Sequence, residues 1–96
     1  MAKGGWVYIM ADRYRGAMYV GVTAKLNARM FQHGTDEGSA HCRRYGLNRL
    51  VWAEFIDDIV EAIAQEKRVK RWRRPWKFAL IEAGNPEWRD LSGDFV

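Results

Sequence analysis

The chain has 96 residues, 48% hydrophobic and 29% charged, with a net charge of +4. That length suits one domain over 1–96, and that balance excludes a disordered chain. No apolar run approaches the ~18 residues of a membrane span, no long apolar stretch marks a signal peptide, and the lone Cys42 cannot close an intramolecular disulfide, so a cytoplasmic protein is expected.

Trp6 to Ala11 and Ala17 to Val22 read as two strands, rich in Val, Ile and aromatics and joined by the "DRYRG" segment. A turn centred between Arg13 and Tyr14 would set Tyr8 opposite Tyr19, Met10 opposite Ala17 and Trp6 opposite Gly21. The period of two then puts Trp6, Tyr8, Tyr19 and Gly21 on one face and Val7, Ile9, Val20 and Val22 on the other. The aliphatic face reads as core. On the phenol face, Gly21 leaves room for something to approach the backbone.

Thr23 can cap a helix from about Ala24 to His33, ended by Gly34, with Leu26, Arg29, Met30 and His33 on one stripe. The polar segment up to Arg49 reads as loop, and Leu50 to Ile56 as a third strand. Asp58 and Glu61 form a capping-box pattern for a helix over Ile59 to Trp72. On a helical wheel Ile59, Ala62, Ile63 and Val69 make the apolar sector, and Glu66 falls inside it beside Lys70. Pro75 fits the first turn of a last helix that Gly84 terminates, and an irregular tail follows. The expected architecture is α/β in the α+β sense: a small, largely antiparallel three-stranded sheet flanked by three helices, in the order β-β-α-β-α-α.

Between Lys67 and Lys77 the segment "KRVKRWRRPWK" carries seven basic residues and no acidic one, which outweighs the whole net charge of the chain. Such local basicity suits a polyanion, and Trp72 and Trp76 could stack on unpaired bases. Lys67, Lys70, Arg71, Trp72, Arg73, Arg74 and Lys77 are therefore the candidate nucleic-acid contacts. The bland alternative is a solvated helix face.

Three features put polar chemistry where packing alone would choose aliphatic residues: the tyrosines, the Arg29/His33 pair and Glu66. Each has an ordinary explanation. A strand tyrosine can pack its ring and wet its hydroxyl, Arg29 can snorkel, His33 can favour a helix C-terminus, and Glu66 can pair with Lys70. Together they supply what phosphodiester hydrolysis requires. An arginine fork suits a phosphate. One carboxylate suffices for Mg²⁺, which keeps most of its waters. A phenol or imidazole can orient or deprotonate a water.

At these residues the chain resembles the GIY-YIG nuclease family, in particular its solitary short branch and the N-terminal catalytic module of the bacterial excision-repair incision nuclease. The ordered set is Trp6-Val7-Tyr8, Tyr19-Val20-Gly21, then Thr23, Leu26, Arg29 and His33, the mid-helix Glu66, and "NP.W.DL" from Asn85 to Leu91. Trp6 and Val7 replace the Gly-Ile of the namesake motif. The resemblance implies that Tyr8 and Tyr19 line the site and position or activate water, and that Arg29 binds the scissile phosphate. It makes His33 a second polar group near the water or leaving group, gives Glu66 a divalent metal, Mg²⁺ or Mn²⁺, and has Asn85 hold the site together. It also implies an endonuclease of DNA repair acting on nucleic acid, with DNA favoured over RNA. A non-catalytic nucleic-acid-binding module using 67–77 is the alternative. A zinc site from His33, His41 and Cys42 lacks a second ligand pair.

Overall fold

The computed structural model describes residues 3–29 and 46–95. Strand β1 is Gly5–Ala11, β2 is Met18–Thr23 and β3 is Arg49–Ile56. Helix α1 is described over 26–29, α2 is Ile59–Arg71, α3 is Arg74–Glu82, and a 3-10 turn at Ser92–Phe95 follows. This is the expected β-β-α-β-α-α order, with an antiparallel sheet ordered β2-β1-β3. Among the described residues no helix is long and apolar enough to cross a membrane.

The hairpin register departs from expectation. Tyr8 pairs with Gly21, Met10 with Tyr19 and Trp6 with Thr23, so Tyr8 is not opposite Tyr19, nor Met10 opposite Ala17, nor Trp6 opposite Gly21. The turn centres between Tyr14 and Arg15 instead. Asp12 closes it by accepting from the Ala17 amide at 2.8 Å, and the Gly16 amide donates to the Arg13 carbonyl at 3.0 Å. Arg15 adopts a left-handed φ of 53°, uncommon for a non-glycine residue. Contacts from α3 hold it there. The Arg15 guanidinium binds Glu82 through two bonds of 2.9 and 2.8 Å, and Arg74 Nη2 donates to the Arg15 and Gly16 carbonyls at 3.1 and 3.0 Å. A shift of two residues preserves side-chain parity, so the two faces keep their predicted membership.

Both faces are covered. On the aliphatic side Val7, Ile9, Ala11, Val20 and Val51 pack with Ala62 and Val69 of α2, Ile81 of α3 and Trp88. On the phenol side Tyr8, Met10 and Leu50 pack with Leu26 of α1 and Leu47. Each large apolar side chain buried this way contributes roughly 1.5–3 kcal/mol. A bulge in β3 serves both layers at once. Ile9 pairs with Trp52 but Met10 with Leu50, leaving Val51 as the extra residue. Val51 and Trp52, though adjacent, therefore both meet the aliphatic core.

Asp58 caps α2 as expected, accepting from the Val60 amide at 2.9 Å. The helix rolls toward Ala62 and Val69, however, so Ile63 is 40% exposed rather than in the core. Thr23 does not cap α1 directly. Its hydroxyl accepts from the Lys25 amide at 3.1 Å, and helical geometry begins at 26, later than the expected Ala24.

The segment after α3 lies against β3. The Leu91 amide donates to the Leu50 carbonyl at 2.7 Å, and Asp90 Oδ1 accepts from the Leu50 and Ser92 amides at 3.0 Å each. Trp88 is fully buried, and its indole N–H donates to Glu82 Oε2 at 2.7 Å. Bonds from Arg15 and then Trp88 depress the Glu82 pKa to about 2. A carboxylate with a lowered native pKa contributes stability that is present above its unfolded value, near 4.3, and is lost as pH falls toward 2. Glu82→Gln is expected to lower the melting temperature at pH 7, with the gap to wild type closing between about pH 4.5 and 2. Thermal melts across that range check it; a gap independent of pH would remove Glu82 as the titrating group.

Candidate active site

Tyr8 and Tyr19 share the phenol face, on neighbouring strands and one pair apart. Their ring centroids are 6.3 Å apart, at an interplanar angle of 51°. Tyr8 is 1% exposed and Tyr19 half-buried, so Tyr19 presents the more accessible phenol. Gly21 makes this packing possible. A Cβ there would come within 2.6 Å of Tyr8 Cζ, 2.7 Å of its hydroxyl and 2.9 Å of Tyr19 Cε1. The glycine of "YVG" is thus a seat for the first tyrosine. Gly21→Ala should push the Tyr8 ring out of place and lower stability by about 1–3 kcal/mol, the usual cost of overpacking. A variant that melts like wild type would show that Tyr8 does not need this seat.

Arg29 sits in α1, one turn beyond Leu26, whose side chain docks α1 onto the Tyr8 cluster. It lines an open cavity of about 290 Å³ with Thr23, Ala24, Lys25 and Ala28. Thr23 and the Lys25–Arg29 backbone bond of 3.1 Å shape this corner. Tyr8, Tyr19 and Arg29 are therefore carried on one side of the sheet. His33 lies outside the described residues.

Glu66 is carried by α2, which covers the aliphatic face and packs on β1 and β2, so it reaches the sheet from the side opposite Tyr8, Tyr19 and Leu26 and is not brought together with them. It shares the inward face of that helix with Ala62 and Val69 and is 9% exposed. Its carboxylate meets Lys70 Nζ at 3.6 Å, the one ion pair it makes among the described residues, and that lysine side chain is 57% exposed. A sheltered carboxylate with one long contact is under-satisfied. Among the described residues no group of three His, Cys, Asp or Glu side chains gathers to hold a metal. A lone carboxylate with free lone pairs still suits Mg²⁺, which completes its shell with waters and phosphate oxygens.

Asn85 is 4% exposed and its amide is fully engaged. Nδ2 donates to the Val51 and Arg89 carbonyls at 3.1 and 2.9 Å, and Oδ1 accepts from the Arg89 amide at 3.2 Å. It ties the tail to the bulge of β3.

The basic run divides in two. Arg74 holds the hairpin turn, Lys77 Nζ donates to the Lys70 carbonyl at 3.1 Å, and Arg68 binds Gln65. Burial, and then the nearby Arg74, push the Lys77 pKa down. Lys67, Arg71 and Arg73 are exposed and make no ion pair among the described residues. Beside them Trp72 and Trp76 meet edge to face at 6.1 Å, with Trp76 61% exposed.

The family model of the GIY-YIG catalytic domain matches residues 4–79, most of the chain. The chain belongs to the GIY-YIG family. This GIY-YIG domain is 28% identical to a UPF0213 protein of Photorhabdus laumondii over 81 residues, 84% of this chain and 78% of that one. It is 30% identical to a UPF0213 protein of Oceanobacillus iheyensis over 82 residues, 85% and 94% of the two chains. The solution NMR structure of a UPF0213 protein from Bacillus halodurans matches with a TM-score of 0.54 and 28% identity, covering 85% of this chain and 86% of that one. The GIY-YIG motif strands are β1 and β2. Sequence reasoning passes over Lys25 and Asn27, which line cavities beside Arg29. The signal was there for Lys25: it stands four residues before Arg29, the spacing that places two cations on one helical face.

Proposed function

We propose that this GIY-YIG domain is a divalent-metal-dependent endonuclease that hydrolyses phosphodiester bonds, with DNA favoured over RNA. The observation that carries the reading is Glu66, a sheltered carboxylate whose one ion pair among the described residues is a long one to an exposed lysine. Glu66 would hold Mg²⁺ or Mn²⁺, which when bound would supply positive charge against the phosphoryl oxygens. Because α2 and α1 lie on opposite faces of the sheet, the metal and a phosphate at Arg29 must then meet around the β2 border. The Arg29 guanidinium forks onto the scissile phosphate and counters the charge that grows there. Tyr19, the more exposed of the two tyrosines, would orient the attacking water through its hydroxyl, with Tyr8 packed against its ring. His33 offers a second polar group at the water or leaving oxygen. Asn85 acts from behind by holding the tail on β3. The exposed cations Lys67, Arg71 and Arg73 draw in the backbone of the substrate. The resemblance to an incision module further supports a cytoplasmic role in DNA repair.

A second reading, a binding module without hydrolysis, is favoured by the exposed Trp76 within the basic run. Cleavage of duplex DNA, branched DNA, single-stranded DNA and RNA, each with Mg²⁺, Mn²⁺ or EDTA, separates the two. Cleavage with metal and none with EDTA supports the nuclease. Binding without cleavage of any substrate under any of these conditions supports the module.

A further inference from the structure

Trp6 stands where the family's namesake motif has glycine, and the fold turns that departure into a surface. It lies one pair before Tyr8 on the phenol face, half-buried, with its ring edge to face on the half-exposed Phe55 at 5.3 Å. Trp6 also walls an open cavity of about 230 Å³ with Ala24, Lys25, Leu26 and Asn27. Leu26, at its floor, is the residue that docks α1 onto Tyr8. The cavity shares Ala24 and Lys25 with the one that Arg29 lines, so the two are adjoining compartments along one stretch of chain.

The chemistry of the compartments differs. The Arg29 side is cationic and polar, fit for a phosphate. The Trp6 side offers an aromatic wall, an aliphatic floor and the Asn27 amide. Asn27 Oδ1 accepts from the Ala28 amide at 2.9 Å, while Nδ2 has no partner among the described residues and can donate to a base edge. A phosphate next to a flat, half-apolar slot describes one nucleotide whose base has left its stack. At about 230 Å³ the slot is large enough to receive one nucleobase. A base within a duplex has both its faces stacked on neighbours, so it can meet Trp6 only if it is unpaired or flipped out.

We propose that the Trp6 cavity holds an unpaired nucleobase adjoining the phosphate bound at Arg29, so that the substrate class is nucleic acid with an unpaired nucleotide at the cleavage position. This rests on the nuclease reading of Arg29 but is tested by binding alone. The probes are a short single strand, the same sequence fully paired, and the duplex with one bulged nucleotide, titrated in EDTA. Wild type is expected to bind the single strand and the bulged duplex more tightly than the paired duplex. Trp6→Leu should weaken those two by about tenfold, in line with loss of one base–aromatic stack, and leave the paired duplex unchanged. Trp6→Phe should restore most of the loss. Trp6 also packs on Phe55, so the exposed Asn27→Ala provides an independent arm, with the same selective loss expected in smaller measure. Equal losses on all three probes, or no loss in folded Trp6→Leu or Asn27→Ala protein, would overturn the proposal. Absence of cleavage with every metal would sink the hydrolytic reading and leave this preference standing or falling on its own titrations.

Discussion

Glu66→Gln is expected to lose metal-dependent cleavage by roughly two to three orders of magnitude, the size of effect seen when one group that stabilises transition-state charge is removed. The same protein should melt at or above the wild-type temperature. Those outcomes together are diagnostic because a structural ion pair and a metal ligand predict opposite stabilities. Had Lys70 been buried, removing Glu66 would strand an ammonium in the interior at a cost of several kcal/mol. Lys70 is 57% exposed and 3.6 Å from the carboxylate, so its charge returns to water and the pair contributes about 0–1 kcal/mol. Neutralising a sheltered, under-satisfied carboxylate recovers part of its desolvation cost. Mg²⁺ or Mn²⁺ should raise the melting temperature of wild type and not of the variant, because binding to the native state alone stabilises it. Paired melts and cleavage assays with and without metal check all three. A variant that cleaves normally, or one that melts lower yet keeps its response to metal, removes Glu66 from the site.

Neutralising Lys67, Arg71 and Arg73 together should weaken duplex DNA binding by about 10²–10³-fold near 0.1 M salt and flatten the log–log salt slope by about 2.7, from counterion release of about 0.9 per phosphate contact. The choice of residues follows from the structure. Arg74 looks equivalent in sequence, but it bonds the Arg15 and Gly16 carbonyls, and its loss would loosen the hairpin turn and confuse stability with binding. Lys77 is likewise engaged at the end of α2. Fluorescence titrations at several salt concentrations measure the slope. An unchanged slope would move the binding surface away from 67–77, with Arg43 and Arg44, which lie outside the described residues, the next cations to replace.

Local pattern was enough for the strand faces, the α2 cap and the burial of Glu66, because each depends on residues within a turn or a strand of one another. The hairpin register was not readable. Its turn is decided by Arg15 in a left-handed conformation, held by Glu82 and Arg74, which are 67 and 59 residues away in the chain. The Val51 bulge was hidden because "LVW" is apolar throughout and shows no break in alternation. Ile63 was misplaced because a wheel ranks hydrophobicity while the sheet selects the narrower Ala62–Val69 side. For the candidate site, the motif order pointed to Tyr8, Tyr19, Arg29 and Glu66, but the cavity walls contributed by Trp6, Lys25 and Asn27 needed the packing of α1 on β1. The two roles in the basic run could be separated only by seeing what each cation touches.

The bonds from residues 85–91 to Leu50 and Val51 have a further consequence. β3 is a border of the sheet, and a bare border strand offers amides and carbonyls on which a neighbouring molecule can add its own strand. Here the Leu50 amide and carbonyl and the Val51 carbonyl are already occupied by Asp90, Leu91 and Asn85. The tail thus acts as an intramolecular plug over the Leu50 and Val51 end of this border, where a strand from another copy would otherwise add. It lies beyond residue 79, where the catalytic-domain match stops, so protection from aggregation at this border comes from chain outside the matched segment.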